Sequence, residues 1–213
     1  MPARKAAAVS EYKPNYSKII ESLVLLSHIK QNLDHYQAVK LLYLADKEHL
    51  NRHGRPITYD DYFALPYGPV PSNALNLLTL ERGTLQRFKL NAGNFPIRIE
   101  KIKTEKDSTI FVLREPLRPV DYDEFSDSDV ELLNWAVENY GNKSFSELYD
   151  ITHKHFAYKF AWDNKEKDKK RAGMKYVDMF EEGERKSHYI SDKLPFAAHS
   201  RCCLLYTSDA ADE

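Results

Sequence analysis

The sequence has few of the residues that mark the commonest functional classes. Glycine occurs 7 times in 213 residues, and no glycine-rich phosphate-binding loop of the GxxxxGK[ST] or GxGxxG kind is present. The 2 cysteines are adjacent, Cys202 and Cys203, so they offer neither a disulfide framework nor the paired spacing of a zinc site. No serine lies in a GxSxG elbow. The sequence therefore excludes the familiar nucleotide-binding, disulfide-rich and serine-hydrolase classes.

An excess of charge of either sign is also missing. The chain has 31 Lys and Arg against 32 Asp and Glu, a formal net charge of -1 at pH 7, whereas non-specific nucleic-acid binders carry a basic surplus. No apolar run approaches the roughly 20 residues of a membrane-spanning helix, and the N-terminus lacks the apolar stretch of a secretory signal. We therefore expect a cytoplasmic protein that has no membrane partner and does not bind nucleic acid.

Apolar and aromatic residues are abundant. Hydrophobic residues make up 42% and aromatic residues 12% of the chain, with 14 Tyr and 10 Phe, enough to build a folded core. Without an internal repeat or a long linker, residues 14–190 are expected to form one domain. Residues 1–13 are expected to be a disordered tail. Residues 203–213, CLLYTSDAADE, resemble a translated sequencing adapter, and we expect them to be non-native.

Capping signals predict several helices. Apolar residues recur at helical spacing over residues 15–29 and again after Asp34, where Gly54 is a typical left-handed stop. Ser72 is expected to cap a shorter helix that ends near Gly83. Capping-box spacing, a cap followed three residues later by an acid or amide, occurs three times: Asp34 with Gln37, Ser126 with Asp129, and Ser144 with Glu147.

Extended structure is predicted at fewer places. Residues 97–102 alternate between apolar and polar, residues 109–113 are β-branched and aromatic, and the polar residues between them favour a turn. Residues 67–71 contain two prolines and a glycine and are not expected to be helical. The charged stretch 164–175 predicts a solvated loop. The predicted fold class is α+β, predominantly α-helical: a compact helical domain with a small antiparallel β-hairpin.

One group of residues has metal-ligand spacing. Asp46, His49 and His53 fall at i, i+3 and i+7 on one helical face, and His153 or His155 would have to supply a further ligand. A metal-dependent hydrolase is therefore one alternative. Histidines at a helix end also interact favourably with the helix dipole without any metal. Because the ligands are few and the HExxH motif is absent, we expect no metal, no other cofactor and no catalytic residues.

Aromatic residues concentrate between positions 43 and 67. Without surrounding basic residues they favour a core or a protein interface over base stacking, since tyrosine is common in interfaces. Arg55 is expected to pair with Asp60 or Asp61 and fix the loop between them, or else to form part of a charged pocket. The residues expected to contact a protein partner, where they are exposed, are Tyr59, Tyr62, Phe63 and Tyr67.

Three motifs follow one another at characteristic separations. Residues 40–46 read KLLYLAD, residues 54–57 read GRPI and residues 67–72 read YGPVPS, with His49 between the first two. This series resembles the Panacea domain of the SocA-like antitoxins, a family associated with phages and mobile elements. The motif residues that carry the resemblance are Lys40, Leu41, Leu42, Tyr43, Asp46, His49, Gly54, Arg55, Pro56, Tyr67, Gly68, Pro69, Val70 and His153.

The resemblance extends over about residues 17–182. Its second half rests on Leu148 and on Thr152 with His153, and Tyr158 stands where the family pattern has tryptophan. The resemblance implies an antitoxin rather than an enzyme, a protein that neutralises a co-encoded toxin by binding it directly. An alternative that the family also implies is a proteolytic adaptor that delivers the toxin to the ClpXP protease.

Overall fold

Helices predominate in the computed structural model, which describes residues 13–105 and 107–180. The predicted non-native segment 203–213 and, apart from residue 13, the predicted disordered tail 1–13 lie outside the described residues. The predicted α+β fold class, mostly helical, is confirmed. No helix in the described part of the chain is long and apolar enough to cross a bilayer. The helices are α1 (Tyr16–Ile29), α2 (His35–His53), α3 (Ser72–Leu78), α4 (Arg82–Arg87), α5 (Asp127–Tyr140), α6 (Phe145–His153) and α7 (Phe156–Asp163).

Helix α2 lies at the centre of the fold, in contact with α1, α3, α5 and α6. Its N-terminus has the predicted capping box: the Asp34 carboxylate accepts from the Gln37 amide at 2.7 Å, and Gln37 Oε1 accepts from the Asp34 amide at 3.2 Å. Its C-terminus ends at Gly54, whose φ of 73° is left-handed as predicted. Local sequence signals therefore determine both ends of the central helix.

Two antiparallel sheets accompany the helices. The predicted hairpin consists of β3 (Ile97–Lys103) and β4 (Thr109–Pro116). A second sheet, which was not predicted, has the order β2-β1-β5 and contains β1 (Tyr62–Leu65), β2 (Gly68–Pro71) and β5 (Ala172–Gly173). Strand β2 accommodates its two prolines because it lies at an edge, where a missing N–H costs no ladder bond. Strand β5 interrupts the predicted loop 164–175.

The start of α3 differs from the prediction. Ser72 does not cap this helix but is its first residue, and the capping is done from a distance by Asp60. The Asp60 carboxylate accepts hydrogen bonds from the amides of Asn73 and Ala74 at 3.0 and 2.9 Å. Gly83 does not end this helix either, since it lies inside α4. Asp60 and the Asn73 amide are 13 residues apart, whereas an ordinary N-cap bonds an amide two or three residues further on. The local sequence before α3 therefore does not reveal this cap.

Apolar packing has two centres. The larger lies between α1, α2, α3 and α5 and includes Leu23, Leu42 and Leu133. The smaller lies where α2 meets β1, α6 and α7, and it includes Tyr43 and Leu148. Both centres contain residues of α2, so the helix that carries the KLLYLAD motif joins the two halves of the core.

A buried aspartate ties three helices together. Asp129 of α5 is fully buried. Its carboxylate lies 2.5 Å from Lys18 Nζ of α1, 3.1 Å from His49 Nε2 of α2 and 2.8 Å from Arg55 Nη1. Burial alone would raise the pKa of Asp129, but the His49 hydrogen bond and the charges of Lys18 and Arg55 hold this pKa well below its usual range.

We expect the substitution Asp129→Asn to lower the free energy of unfolding by about 3 kcal/mol near pH 7, because its partners would lose their counter-charge. Since the folded-state pKa of Asp129 is depressed, its contribution is present above the unfolded pKa of about 3.9 and is lost as the pH falls below it. Urea unfolding from pH 3 to pH 7 should therefore show the difference between wild type and variant shrinking toward pH 3.

The matched control is Asp127→Asn, in the exposed first turn of the same helix. It should change the free energy of unfolding by less than about 0.5 kcal/mol. A difference between wild type and Asp129→Asn that stays constant from pH 3 to pH 7 would contradict the depressed pKa.

Candidate partner-binding site

Two of the three sequence motifs, KLLYLAD and YGPVPS, meet at the buried amine of Lys40, together with Thr152 and His153. The Lys40 side chain is fully buried, and its Nζ donates to the Pro69 carbonyl at 2.6 Å. Gly68 lies so close that a Cβ at this position would be 2.7 Å from Lys40 Nζ, 3.0 Å from Thr152 Oγ1 and 3.1 Å from His153 Cε1. The φ of Gly68 is also 101°, a conformation that side chains disfavour. Backbone conformation and close approach therefore both require glycine here.

The environment of Lys40 disfavours a charged amine. Among the described residues no carboxylate lies within ion-pair distance of Nζ, and the ring of Tyr36 is 5.0 Å away. Burial lowers the pKa of Lys40 well below its ordinary value. The physical cause is the cost of burying an ammonium without a counter-charge. Lys40 thus acts as a hydrogen-bond donor to the β2 backbone.

The turn between β1 and β2 is held from two further sides. The Tyr36 hydroxyl of α2 donates to the Tyr67 carbonyl at 3.2 Å, and His153 Nε2 of α6 lies 3.3 Å from the Pro66 carbonyl. The Tyr158 hydroxyl of α7 donates to the carbonyl of the last β1 residue at 3.0 Å. Tyr158, which departs from the family pattern, therefore also fixes this turn.

The side chain of Tyr67 belongs to a larger exposed aromatic surface. Tyr67 is 62% exposed and Phe145 is 49% exposed, and their ring centroids are 5.9 Å apart. The Phe145 ring also lies 4.3 Å from that of Tyr36 and 6.3 Å from that of Tyr149. We name these four residues the Tyr67 surface. Tyr67 and Phe145 are exposed, while Tyr36 and Tyr149 are half-buried behind them. Exposed aromatic rings that adjoin one another are typical of protein interfaces.

The four aromatic residues predicted to contact a partner fall into two groups. Tyr59 and Tyr62 are only 8% and 3% exposed, so they lie in the interior and are not available to a partner. Tyr67 is exposed, and Phe63 is half-buried beneath the guanidinium of Arg171. Successive side chains of a strand point to opposite faces, which places Tyr62 inward and Phe63 outward. The sequence did not show that β1 is a paired strand, so this distinction was missed.

Asp46 stabilises the loop that follows α2. Its carboxylate is fully buried and accepts from the amides of Ile57 and Thr58 at 2.8 and 3.0 Å and from the Tyr62 hydroxyl at 2.8 Å. Burial raises the pKa of Asp46, while these hydrogen bonds oppose the rise. Every contact of this carboxylate is thus with the GRPI motif or the residues after it.

The proposed metal ligands point to different partners. His49 Nδ1 donates to the Arg55 carbonyl at 2.7 Å, and its Nε2 faces Asp129. The ring of His53 lies 4.6 Å from that of His49, and in the part of the chain that the structure describes no three His, Cys, Asp or Glu side chains could hold a metal ion. The additional candidate His155 lies 3.0 Å from the hydroxyl of Tyr43.

The predicted partner of Arg55 is wrong. The guanidinium lies 2.8 Å from Asp129 rather than beside Asp60 or Asp61. Asp60 is instead engaged with the N-terminus of α3. Arg55 therefore joins the loop after α2 to α5, which is far away in the sequence.

We expect Gly68→Ala to lower the free energy of unfolding by roughly 1–3 kcal/mol, because the new Cβ would meet the Lys40 amine in a left-handed conformation. Gly173→Ala is the matched control, since no atom lies within 4 Å of a Cβ built there. That control should leave stability unchanged or slightly increased, by less than about 1 kcal/mol. Equal losses in both variants on urea unfolding would contradict the role given to Gly68.

Because the pKa of Lys40 is depressed in the folded protein, we expect the free energy of unfolding of wild type to depend on pH. The substitution Lys40→Met should remove this dependence. Between the folded-state pKa and the unfolded value of about 10.4, the unfolded chain binds more protons, so wild-type stability rises with pH. The wild type should therefore gain up to about 1.4 kcal/mol per pH unit relative to Lys40→Met from pH 7 to pH 10. Urea unfolding at several pH values measures this gain, with exposed Lys154→Met as the control. Parallel curves for wild type and Lys40→Met would mean that Lys40 is charged in the folded protein.

The sequence profile of the SocA-like antitoxins, the Panacea domain, matches residues 39–163, which is 125 of the 213 residues. The matched region contains Lys40, Gly68, Tyr67 and His153, so the residues that meet at the Lys40 amine all belong to it. Among curated proteins and among solved structures, none is significantly similar to this chain. The motifs, their convergence on one buried contact and the extent of the match lead to one conclusion: the chain belongs to the SocA-like antitoxin family.

Proposed function

We propose that this protein is an antitoxin that neutralises a co-encoded protein toxin by binding it directly through the Tyr67 surface. The observation that carries the proposal is the position of Tyr67. Its carbonyl accepts from the Tyr36 hydroxyl, and the motif residues Lys40 and His153 hold the Pro69 and Pro66 carbonyls beside it, while its side chain is more than half exposed. The shared interior of the domain thus presents an aromatic side chain outward at a defined place.

The energetics of association favour such a surface. A stable protein pair buries on the order of 1,600 Å² in total, and a few aromatic or arginine side chains supply most of the binding energy. Binding is weakened when a loop must become ordered on contact. The turn that carries Tyr67 is already held by Lys40, Tyr36 and His153. Little ordering of this turn is then needed when a toxin binds.

The polar motif residues support a scaffold role over a catalytic one. Asp46 accepts hydrogen bonds from the loop after α2, His49 pairs with Asp129, and Lys40 donates to the β2 backbone. Membership of an antitoxin family agrees with a non-enzymatic role. The proposal therefore assigns these residues to the interior that shapes the binding surface, and assigns toxin contact to the exposed aromatic rings.

The test is rescue of cells that express the protein encoded by the adjacent gene. Wild type should restore growth and co-purify with that toxin. Tyr67→Ala and Phe145→Ala should each weaken the complex by 1.5–3 kcal/mol, about 10- to 100-fold in Kd, because they remove central aromatic contacts. Tyr122→Ala is the matched control, since Tyr122 is 58% exposed and lies outside the Tyr67 surface. Titration calorimetry with the purified toxin measures the affinities, and thermal unfolding confirms that each variant folds.

Two results would count against this proposal, the first against direct neutralisation and the second against the Tyr67 surface. If wild type rescues growth only while ClpXP is present and forms no stable complex, the protein acts as a proteolytic adaptor. If Tyr122→Ala weakens the complex as much as Tyr67→Ala, the toxin binds elsewhere on the molecule.

A further inference from the structure

A basic cleft lies beside the three-stranded sheet whose β1–β2 turn carries Tyr67. It is at the β5 edge of this sheet, opposite β2. It has a volume of about 670 Å³, and its walls come from β1, β5 and the residues before β5. We name it the Arg171 cleft. The lining residues that matter for its chemistry are Phe63, Lys169, Lys170, Arg171 and Gly173.

The guanidinium of Arg171 is oriented but not neutralised. Its Cζ atom lies 4.4 Å from the centroid of the Phe63 ring, a cation–π contact that fixes the plane of the group. Among the described residues, no carboxylate lies within ion-pair distance of Arg171 or of Lys170, whereas Lys169 pairs with Glu166 at 2.8 Å. A planar group held in this way is prepared for bidentate contact with an incoming oxyanion.

The charge around the cleft differs from that of the whole chain. Residues 154–175 contain eight Lys and Arg and three Asp and Glu, whereas the formal net charge of the protein is -1. The cleft therefore lies in a locally positive segment. Such a segment attracts an acidic partner surface and speeds its association.

Strand β5 has one unpaired side among the described residues. In the order β2-β1-β5, this strand is at the edge of the sheet, with β1 on its one paired side. On the face of the sheet, no described atom lies within 4 Å of a Cβ built on Gly173. An edge strand is a site where a peptide segment can add to a sheet.

We propose that the Arg171 cleft binds an acidic segment of the toxin, with one carboxylate held by Arg171 and a neighbouring one by Lys170. This rests on the proposed function, because the same toxin would cover the Tyr67 surface. Phe63 and Tyr67 are four residues apart, so their backbones are separated by at most about 14 Å. An interface of about 800 Å² per partner is roughly 30 Å across and spans both.

A carboxylate-bearing peptide fits this cleft better than a single-stranded nucleic acid does. Nucleic acids bind such surfaces by stacking bases on exposed aromatic faces. Here Arg171 covers the Phe63 ring, and Lys165 Nζ lies 5.0 Å from the Trp162 ring. Each cation thus occupies one face of its ring, which leaves less aromatic surface for a base to stack on.

The cleft is a specificity element of this chain. The family match ends at residue 163, so it includes Phe63 and Tyr67 but not the cations of the cleft. Three of the four residues of the Tyr67 surface, all but Tyr36, thus lie in the matched region, whereas the cations of the cleft lie outside it. The toxin of this protein is accordingly expected to carry an acidic segment next to its contact with Tyr67.

The test compares Arg171→Glu with Lys167→Glu in the full chain. Both variants make the same charge change in the same segment, but Lys167 does not line the cleft. Titration with the purified toxin should show at least a 10-fold weaker complex for Arg171→Glu and less than a 3-fold change for Lys167→Glu. The loss should be largest at low salt. Circular dichroism and thermal unfolding establish that both variants fold.

Two labelled probes identify the chemistry of the cleft without the toxin. A ten-residue glutamate peptide should bind wild type at low salt and bind Arg171→Glu at least 10-fold more weakly. A ten-nucleotide oligouridylate should bind more weakly than the peptide. Tighter binding of the oligouridylate, lost in Arg171→Glu, would overturn the proposal in favour of a nucleic-acid site.

The toxin and peptide results separate two kinds of failure. If wild type binds the toxin and Arg171→Glu binds it equally well, the cleft proposal is wrong and the proposed function stands. If wild type forms no complex with the toxin, the proposed function fails, and the peptide still shows whether the cleft receives carboxylates. Equal weakening by Arg171→Glu and Lys167→Glu would show only diffuse attraction and would also overturn the proposal.

Discussion

The close approach of Gly68 to the amine of Lys40 is the contact on which the arrangement of the site depends. It joins β2 to the central helix and, through Thr152 and His153, to α6. A larger residue at position 68 would force either the Lys40 side chain or the strand to shift, because its Cβ would lie 2.7 Å from the amine. A glycine with positive φ, a buried amine and a proline carbonyl therefore act as a single unit, although they lie in different parts of the sequence.

This unit of Lys40, Gly68 and Pro69 explains why most motif residues lie in the interior, whereas the residues proposed to bind the toxin lie at the surface. Lys40, Asp46 and His49 face the interior and hold backbone groups, so a partner does not reach them. Tyr67 is the exception, because its backbone belongs to the unit while its ring is exposed. The motif residues that define the domain are thus distinct from the exposed surface that we propose as the toxin-binding site.

Local signals in the sequence predict the helices well, because caps act within a few residues. Asp34 with Gln37 and the left-handed Gly54 determine the ends of α2 without help from the rest of the chain. The sequence does not reveal interactions that join distant positions. Asp60 caps α3 from another loop, and Arg55 pairs with an aspartate of α5. The two-residue strand β5 exists only through its pairing with β1, so no periodicity could predict it.

The contact between Lys40 and Gly68 also has an evolutionary consequence. A lineage that replaces Gly68 by a larger residue must first accept a shorter side chain at position 40, because both fill the same space. Shortening the side chain at position 40 first leaves a cavity and an unsatisfied Pro69 carbonyl, which is easier to tolerate than the collision that follows when Gly68 is replaced first. The two positions are therefore expected to change together and in this order, whereas the exposed ring at position 67 is under no such packing constraint.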